Sequence, residues 1–154
     1  MPVQPVAIEM AIALPAPPEQ VWPWLVDWER LGEWMKEASG FEVIGDQREG
    51  LGVRAKASVR IAGITTTDTV VVSRWEPPHW LEIRHRGWVK GSGLMHCRPT
   101  PSGSYLWWRE SLIPPGAFPW RLATGAGLHA LAPVMQRVFA RDLRELRRLL
   151  EGGR

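Results

Sequence analysis

One cysteine, Cys97, in 154 residues excludes an internal disulfide framework and any multi-thiolate metal site. No apolar run approaches the about 20 residues that a membrane-spanning helix needs. The opening Met1-Pro2-Val3-Gln4 lacks the basic start and apolar stretch of a signal peptide, so the expected location is cytoplasmic. Phosphate-binding loops, dinucleotide fingerprints and nucleophile elbows are missing as well. His79, His85, His96 and His129 are scattered, and His85 and His96 fall on opposite strand faces. No metal and no cofactor are expected. The formal charge is only +3, and Arg137, Arg141, Arg144, Arg147 and Arg148 gather near the C-terminus. That clustering reads as a solvated helix face, and no nucleic-acid partner is expected.

What the chain has in excess is tryptophan: ten, against one tyrosine and three phenylalanines. Indoles are large, flat and amphipathic, so they serve pocket walls as well as cores. The length suits one domain, 1–154, able to bury a core without staples.

The order of elements follows from periodicity and punctuation. Residues 5–14 read as a strand, with Val6, Ile8, Met10, Ile12 and Leu14 on one face. Pro18 opens a short helix to Val26, and 29–37 is expected to form a second. Strands follow at 41–47, 53–61, 64–75, 81–86, 91–98 and 104–112. Their signals are the alternation Val53, Ala55, Ala57, Val59, Ile61, the hairpin pair Ala62-Gly63, and the break at Pro77-Pro78. A terminal helix is expected from about Pro133 to Glu151, with Met135, Val138, Phe139, Leu146, Leu149 and Leu150 on one stripe and Arg137, Arg141, Arg144 and Arg148 opposite. The expected fold is therefore α+β. A curved seven-stranded antiparallel sheet grips a long C-terminal helix, with two short helices after the first strand.

Three segments carry a resemblance to a known family: Ala16-Pro17-Pro18-Glu19-Gln20-Val21-Trp22 with Asp27 and Trp34; Trp75-Glu76-Pro77-Pro78; and Ser104-Tyr105-Leu106-Trp107-Trp108, Pro114-Pro115-Gly116-Ala117 and Asp142-Leu143-Arg144-Glu145-Leu146. Together they span nearly the whole chain, and each mostly serves the fold. The pattern resembles the START/Bet v 1-like (SRPBCC) superfamily, in its polyketide cyclase/dehydrase-like branch. The resemblance implies a helix-grip fold with a cavity between sheet and helix. It leaves function open, since members include lipid and metabolite carriers, quinone-binding proteins and aromatase/cyclases.

Polar residues where the pattern wants apolar ones mark the candidate site. Asp142 projects into the apolar stripe of the terminal helix, and a buried carboxylate is costly unless paired or protonated. Glu110 shares parity with Trp108 and Leu112. His85 shares it with Leu81 and Ile83, and Asp68 and Arg74 share it with Val70 and Val72. If all face inward, the cavity holds Asp68, Arg74, His85, Glu110 and Asp142. Two plainer readings compete: a closed ion-pair network, centred on Arg74 and Asp142, or a bulge that flips one strand and puts its charge in water. The resemblance adds that aromatase/cyclases place an Arg of the fourth strand, a polar residue of the last strand and an Asn or Asp of the terminal helix in the cavity, near Arg74, Glu110 and Asp142. It also shows a departure. Leu31, Met35 and Ala38 occupy the aromatic and Tyr-bearing positions of the second helix, so the phenol that would favour polyketide cyclisation is missing.

The expected function is binding of a small, largely apolar ligand, aromatic, polyketide-like or lipid-like, as carrier or sensor. The alternative is a cyclase- or dehydratase-like enzyme. Arg74, Glu110 and Asp142 are the candidate catalytic residues. Leu31, Met35, Val59, Asp68, Val72, Ile83, His85, Met95, Trp108, Met135 and Phe139 are the candidate ligand contacts, around a cavity of at least about 300 Å³. No membrane insertion is expected. Trp107 has outward parity, and its cover by a second subunit keeps a homodimer open.

Overall fold

A computed structural model describes residues 4–61, 63–117 and 120–153. The sheet is seven-stranded and antiparallel throughout, in the spatial order β1 (Val6–Leu14), β7 (Gly103–Ile113), β6 (Lys90–Thr100), β5 (Trp80–Arg86), β4 (Ile64–Glu76), β3 (Arg54–Ile61) and β2 (Ala38–Ile44). Only the first connection is non-local, because β1 pairs with β7 from Val6 opposite Leu112 to Leu14 opposite Ser104. Period-two burial explains the strands: Val6, Ile8, Met10 and Leu14 are buried while Ala7, Glu9 and Ala11 are exposed.

Between β1 and β2 lie the helix α1 (Pro18–Val26) and a single 3-10 turn, Leu31–Glu33. Pro18 occupies the first turn of α1, as expected. The helix read over 29–37 is reduced to that one turn. Trp34 is fully buried and donates its indole N–H to the Trp24 carbonyl at 3.0 Å. The Lys36 amide leaves the helical pattern for the Asp142 carboxylate at 3.3 Å. Tertiary anchors thus override a short segment that could not pay for helix nucleation alone.

The terminal helix α2 (Trp120–Gly152) has 33 residues and starts well before Pro133, which lies in its interior. Proline removes one amide donor, and the carbonyl four residues back belongs to the exposed His129, where water can serve it. The early turns are fastened to the β7–α2 connection by Thr124, whose hydroxyl donates to the Pro115 carbonyl at 2.8 Å. Met135, Phe139, Asp142, Leu143 and Leu146 are buried, while Val138, Leu149 and Leu150 pack at the edge of the core. Arg137, Arg141, Arg144 and Arg148 are exposed, as the helical projection requires. Among the described residues no helix is long and apolar enough to cross a membrane.

The parity of β4 breaks once. Its register with β5 shifts between Val72 and Arg74, so the strand carries an extra residue there and the following side chains change face. Val72 is buried in the core. Arg74 is turned outward: it pairs with Glu76 at 2.9 Å and lies over the Trp80 ring at 4.1 Å, while His96 stacks on that ring at 3.9 Å. The expectation that Arg74 faces the cavity and pairs with Asp142 is corrected by this bulge.

Candidate functional site

A cavity of about 290 Å³ lies between the concave face of the sheet and α2, just under the expected size. Leu31 and Met35 reach it from the 3-10 turn and the residues after it. Val59 comes from β3, Asp68 from β4, Ile83 and His85 from β5, and Met95 from β6. Trp108 and Glu110 come from β7, and Met135 and Phe139 from α2. Val72, Arg74 and Asp142 do not line it. Trp28, Phe41, Glu37 and Trp88 do line it and were not read from the sequence. Glu37 ends the second segment read as helical and Trp28 lies between the two expected helices, where parity gives no inward face. The wall also holds an orphan donor: among the described residues the buried Trp28 Nε1 has no acceptor.

One end of the cavity is polar. His85 Nε2 lies 3.0 Å from Glu110 Oε2, and its Nδ1 lies 3.7 Å from Asp68 Oδ2. Trp108 Nε1 donates to the other Glu110 oxygen at 2.9 Å. Thus Glu110 is fixed by an indole and an imidazole, while His85 stands between two carboxylates. Burial pulls the His85 pKa down, but the hydrogen bond and charge of Glu110, with the charge of Asp68, outweigh it and leave the pKa raised. Burial pushes Asp68 up, offset in part by His85 and the nearby amides of Thr69 and Gly87.

The Glu110 contact depends on a missing side chain. Gly93 on β6 lies directly opposite Glu110 on β7, and a Cβ there would come within 2.5 Å of Glu110 Oε1. The Glu110 carboxyl therefore crosses β6 in the space that Gly93 vacates and reaches His85 on β5. Gly93→Ala is expected to push that carboxyl aside, lower the His85 pKa, and cost about 1–2 kcal/mol, the size of a disturbed buried hydrogen bond. Titration of the His85 ring by NMR, with a denaturation curve, checks it; an unchanged titration would show that Gly93 does not gate the contact.

A second carboxyl pair lies apart from this cluster. Asp142 is fully buried and Glu37 is 8% exposed. Burial pushes the Asp142 pKa up to about 9, and the hydrogen bond and charge of Glu37 push the same way, against the Lys36 amide and Arg141. Glu37 Oε2 and Asp142 Oδ2 have no conventional donor among the described residues, which is what a proton shared between two carboxyls leaves. Arg141 sits over the pair at 3.9 and 3.8 Å from its exposed position. The helical projection correctly buries Asp142; its partner is Glu37 and not Arg74.

The remaining candidates have structural surroundings. His79 Nδ1 lies 2.8 Å from the Cys97 carbonyl. Cys97 is buried, and burial pushes its thiol pKa up, so it is a poor nucleophile. Among the described residues no group of three or more His, Cys, Asp or Glu is placed to hold a metal ion.

Comparison with known proteins agrees with this architecture. A family model described as "Polyketide cyclase / dehydrase and lipid transport" matches residues 5–151. An uncharacterised protein of Mycobacterium tuberculosis is 28% identical over 108 residues, covering 69% of this chain and 76% of that one. The fold is shared with a protein of Thermus thermophilus, with a TM-score of 0.78 and 20% identity over 96% of this chain and 99% of the other. The Zhui aromatase/cyclase of Streptomyces gives a TM-score of 0.78 with 18% identity, over 96% and 94%.

Proposed function

Because the chain belongs to the polyketide cyclase/dehydrase and lipid transport family, we propose that it binds a small, largely apolar ligand in the cavity between sheet and helix, as carrier or sensor. The observation that carries this reading is an apolar chamber of about 290 Å³ closed at one end by Asp68, His85 and Glu110. Such a chamber takes an apolar body and fixes one polar group. Met35, Ile83, Met95, Met135 and Phe139 supply the walls in this reading, and Trp108 both packs against the ligand and holds Glu110. Arg74, on the outer face, has no part in binding; Asp142 acts through Glu37 rather than by touching ligand.

A second reading is favoured by one contact, the 3.0 Å approach of His85 to Glu110 at the cavity wall. A half-buried imidazole braced by a carboxylate can pass a proton to or from a bound carbonyl compound, as a cyclase or dehydratase requires. Both readings need the cavity to fill. Titration with N-phenyl-1-naphthylamine, a neutral fluorescent probe, is expected to give saturable one-to-one binding with quenching of tryptophan emission. Replacing Met95 by tryptophan to occupy the chamber is expected to weaken that binding at least tenfold while the fold survives. Probe binding that is absent, or indifferent to the filled chamber, would count against a cavity ligand.

A further inference from the structure

We propose that the cavity selects ligands bearing a protonated amine over ligands bearing a carboxylate, with the amine seated at the Asp68–Glu110 end. This rests on the binding reading above and adds the chemical class of the ligand. Among the described residues no lysine or arginine lines the cavity; its ionisable groups are Glu37, Asp68, His85 and Glu110. At the polar end two carboxylates face a single imidazole, so negative charge is in excess even when His85 carries its proton. Against the largely apolar walls of the chamber that excess attracts a cation and repels an anion more strongly than it would in open water.

The rest of the chamber favours the same choice. Trp28, Phe41, Trp108 and Phe139 are among its lining residues, with the exposed Trp88 beside them, and aromatic side chains attract ammonium groups. Asp68 lines the cavity, and its Oδ2 stands 3.7 Å from His85 Nδ1, too far to be engaged by a hydrogen bond from that ring. The Trp28 N–H and the Thr66 hydroxyl suit an acceptor. Neutral dipoles meet a ketone or ether oxygen well, but they do not offset the repulsion of a carboxylate by two others. The favoured ligand is therefore an apolar or aromatic amine, with any oxygen it carries uncharged.

Three molecules with one skeleton test this at pH 7: 2-(2-naphthyl)ethylamine, 2-(2-naphthyl)ethanol and 2-naphthylacetate, each displacing N-phenyl-1-naphthylamine from the intact protein. The amine is expected to bind at least tenfold more tightly than the acetate, with the alcohol between them. Asp68→Asn is expected to shrink the amine-to-acetate ratio at least fivefold; Glu110→Gln, which keeps an acceptor for Trp108, should do the same. An acetate that binds as well as the amine, or a ratio that neither variant alters, overturns the inference and leaves cavity binding standing. Failure of all three to displace the probe, or of the probe to bind, overturns both.

Discussion

Trp108→Ala is expected to lower the free energy of unfolding by about 3–5 kcal/mol, the range for truncating a large buried aromatic side chain. Trp108 is 2% exposed in the middle of β7. Its ring meets Trp34 edge-on at 6.2 Å and Phe139 at 4.9 Å, so it joins the sheet to the 3-10 segment and to α2 at once. The truncation also removes the N–H that Glu110 accepts at 2.9 Å, leaving a buried acceptor short of one donor. Trp108→Phe separates the two losses. It keeps much of the packing and removes only the donor, so about 1–3 kcal/mol is expected. Urea denaturation of the three proteins measures this, with an unchanged slope required for a like-for-like comparison. A cost below about 1 kcal/mol for the alanine variant would mean that Trp108 merely borders the cavity and does not join the three elements.

Strands were legible where one face is wet and the other buried. The alternation in 5–14 and 53–61 became β1 and β3 with nearly the expected bounds, because a period of two has only one way to fold against a core. The start of α2 was not legible. Gly125 and Gly127 weaken the helical pattern there, and Pro133 imitates a first-turn proline although it lies inside the helix. Parity placed Asp68, His85 and Glu110 on one inner surface, and they do meet. Parity could not show that Gly93 clears the path between two of them. It misplaced Arg74 because a bulge adds one residue between Val72 and Arg74, and a local register slip leaves no mark in residues that suit either face. It found that Asp142 is buried but not its partner, since Glu37 lies in a segment with no regular period and comes near only through the fold.

That partner decides what Asp142→Asn does. Pairing with Arg74 would have made the loss of charge costly at every pH. Pairing with Glu37 reverses the outcome at alkaline pH. In the unfolded chain Asp142 titrates near the ordinary 3.9, whereas in the folded protein burial first, then Glu37, raises its pKa to about 9. Between those values the folded state binds more protons than the unfolded, so stability falls as pH rises from about 4 to about 9, and beyond that this group adds no further slope. His85, with its pKa raised, and Asp68, raised by burial, also lose stability with rising pH, but they do so in both proteins. Asparagine has no proton to lose, and its amide can donate to Glu37 as the protonated acid does. The two proteins are therefore expected to be within about 1 kcal/mol at pH 4, where both side chains are neutral. By pH 9 the asparagine variant should be more stable by about 2 kcal/mol, a value reduced because the exposed Arg141 offsets part of the charge. Denaturant curves at pH 4, 7 and 9 give the difference directly. A gap independent of pH would show that Asp142 does not hold its proton against Glu37, and a variant weaker at pH 9 would restore a cationic partner for it.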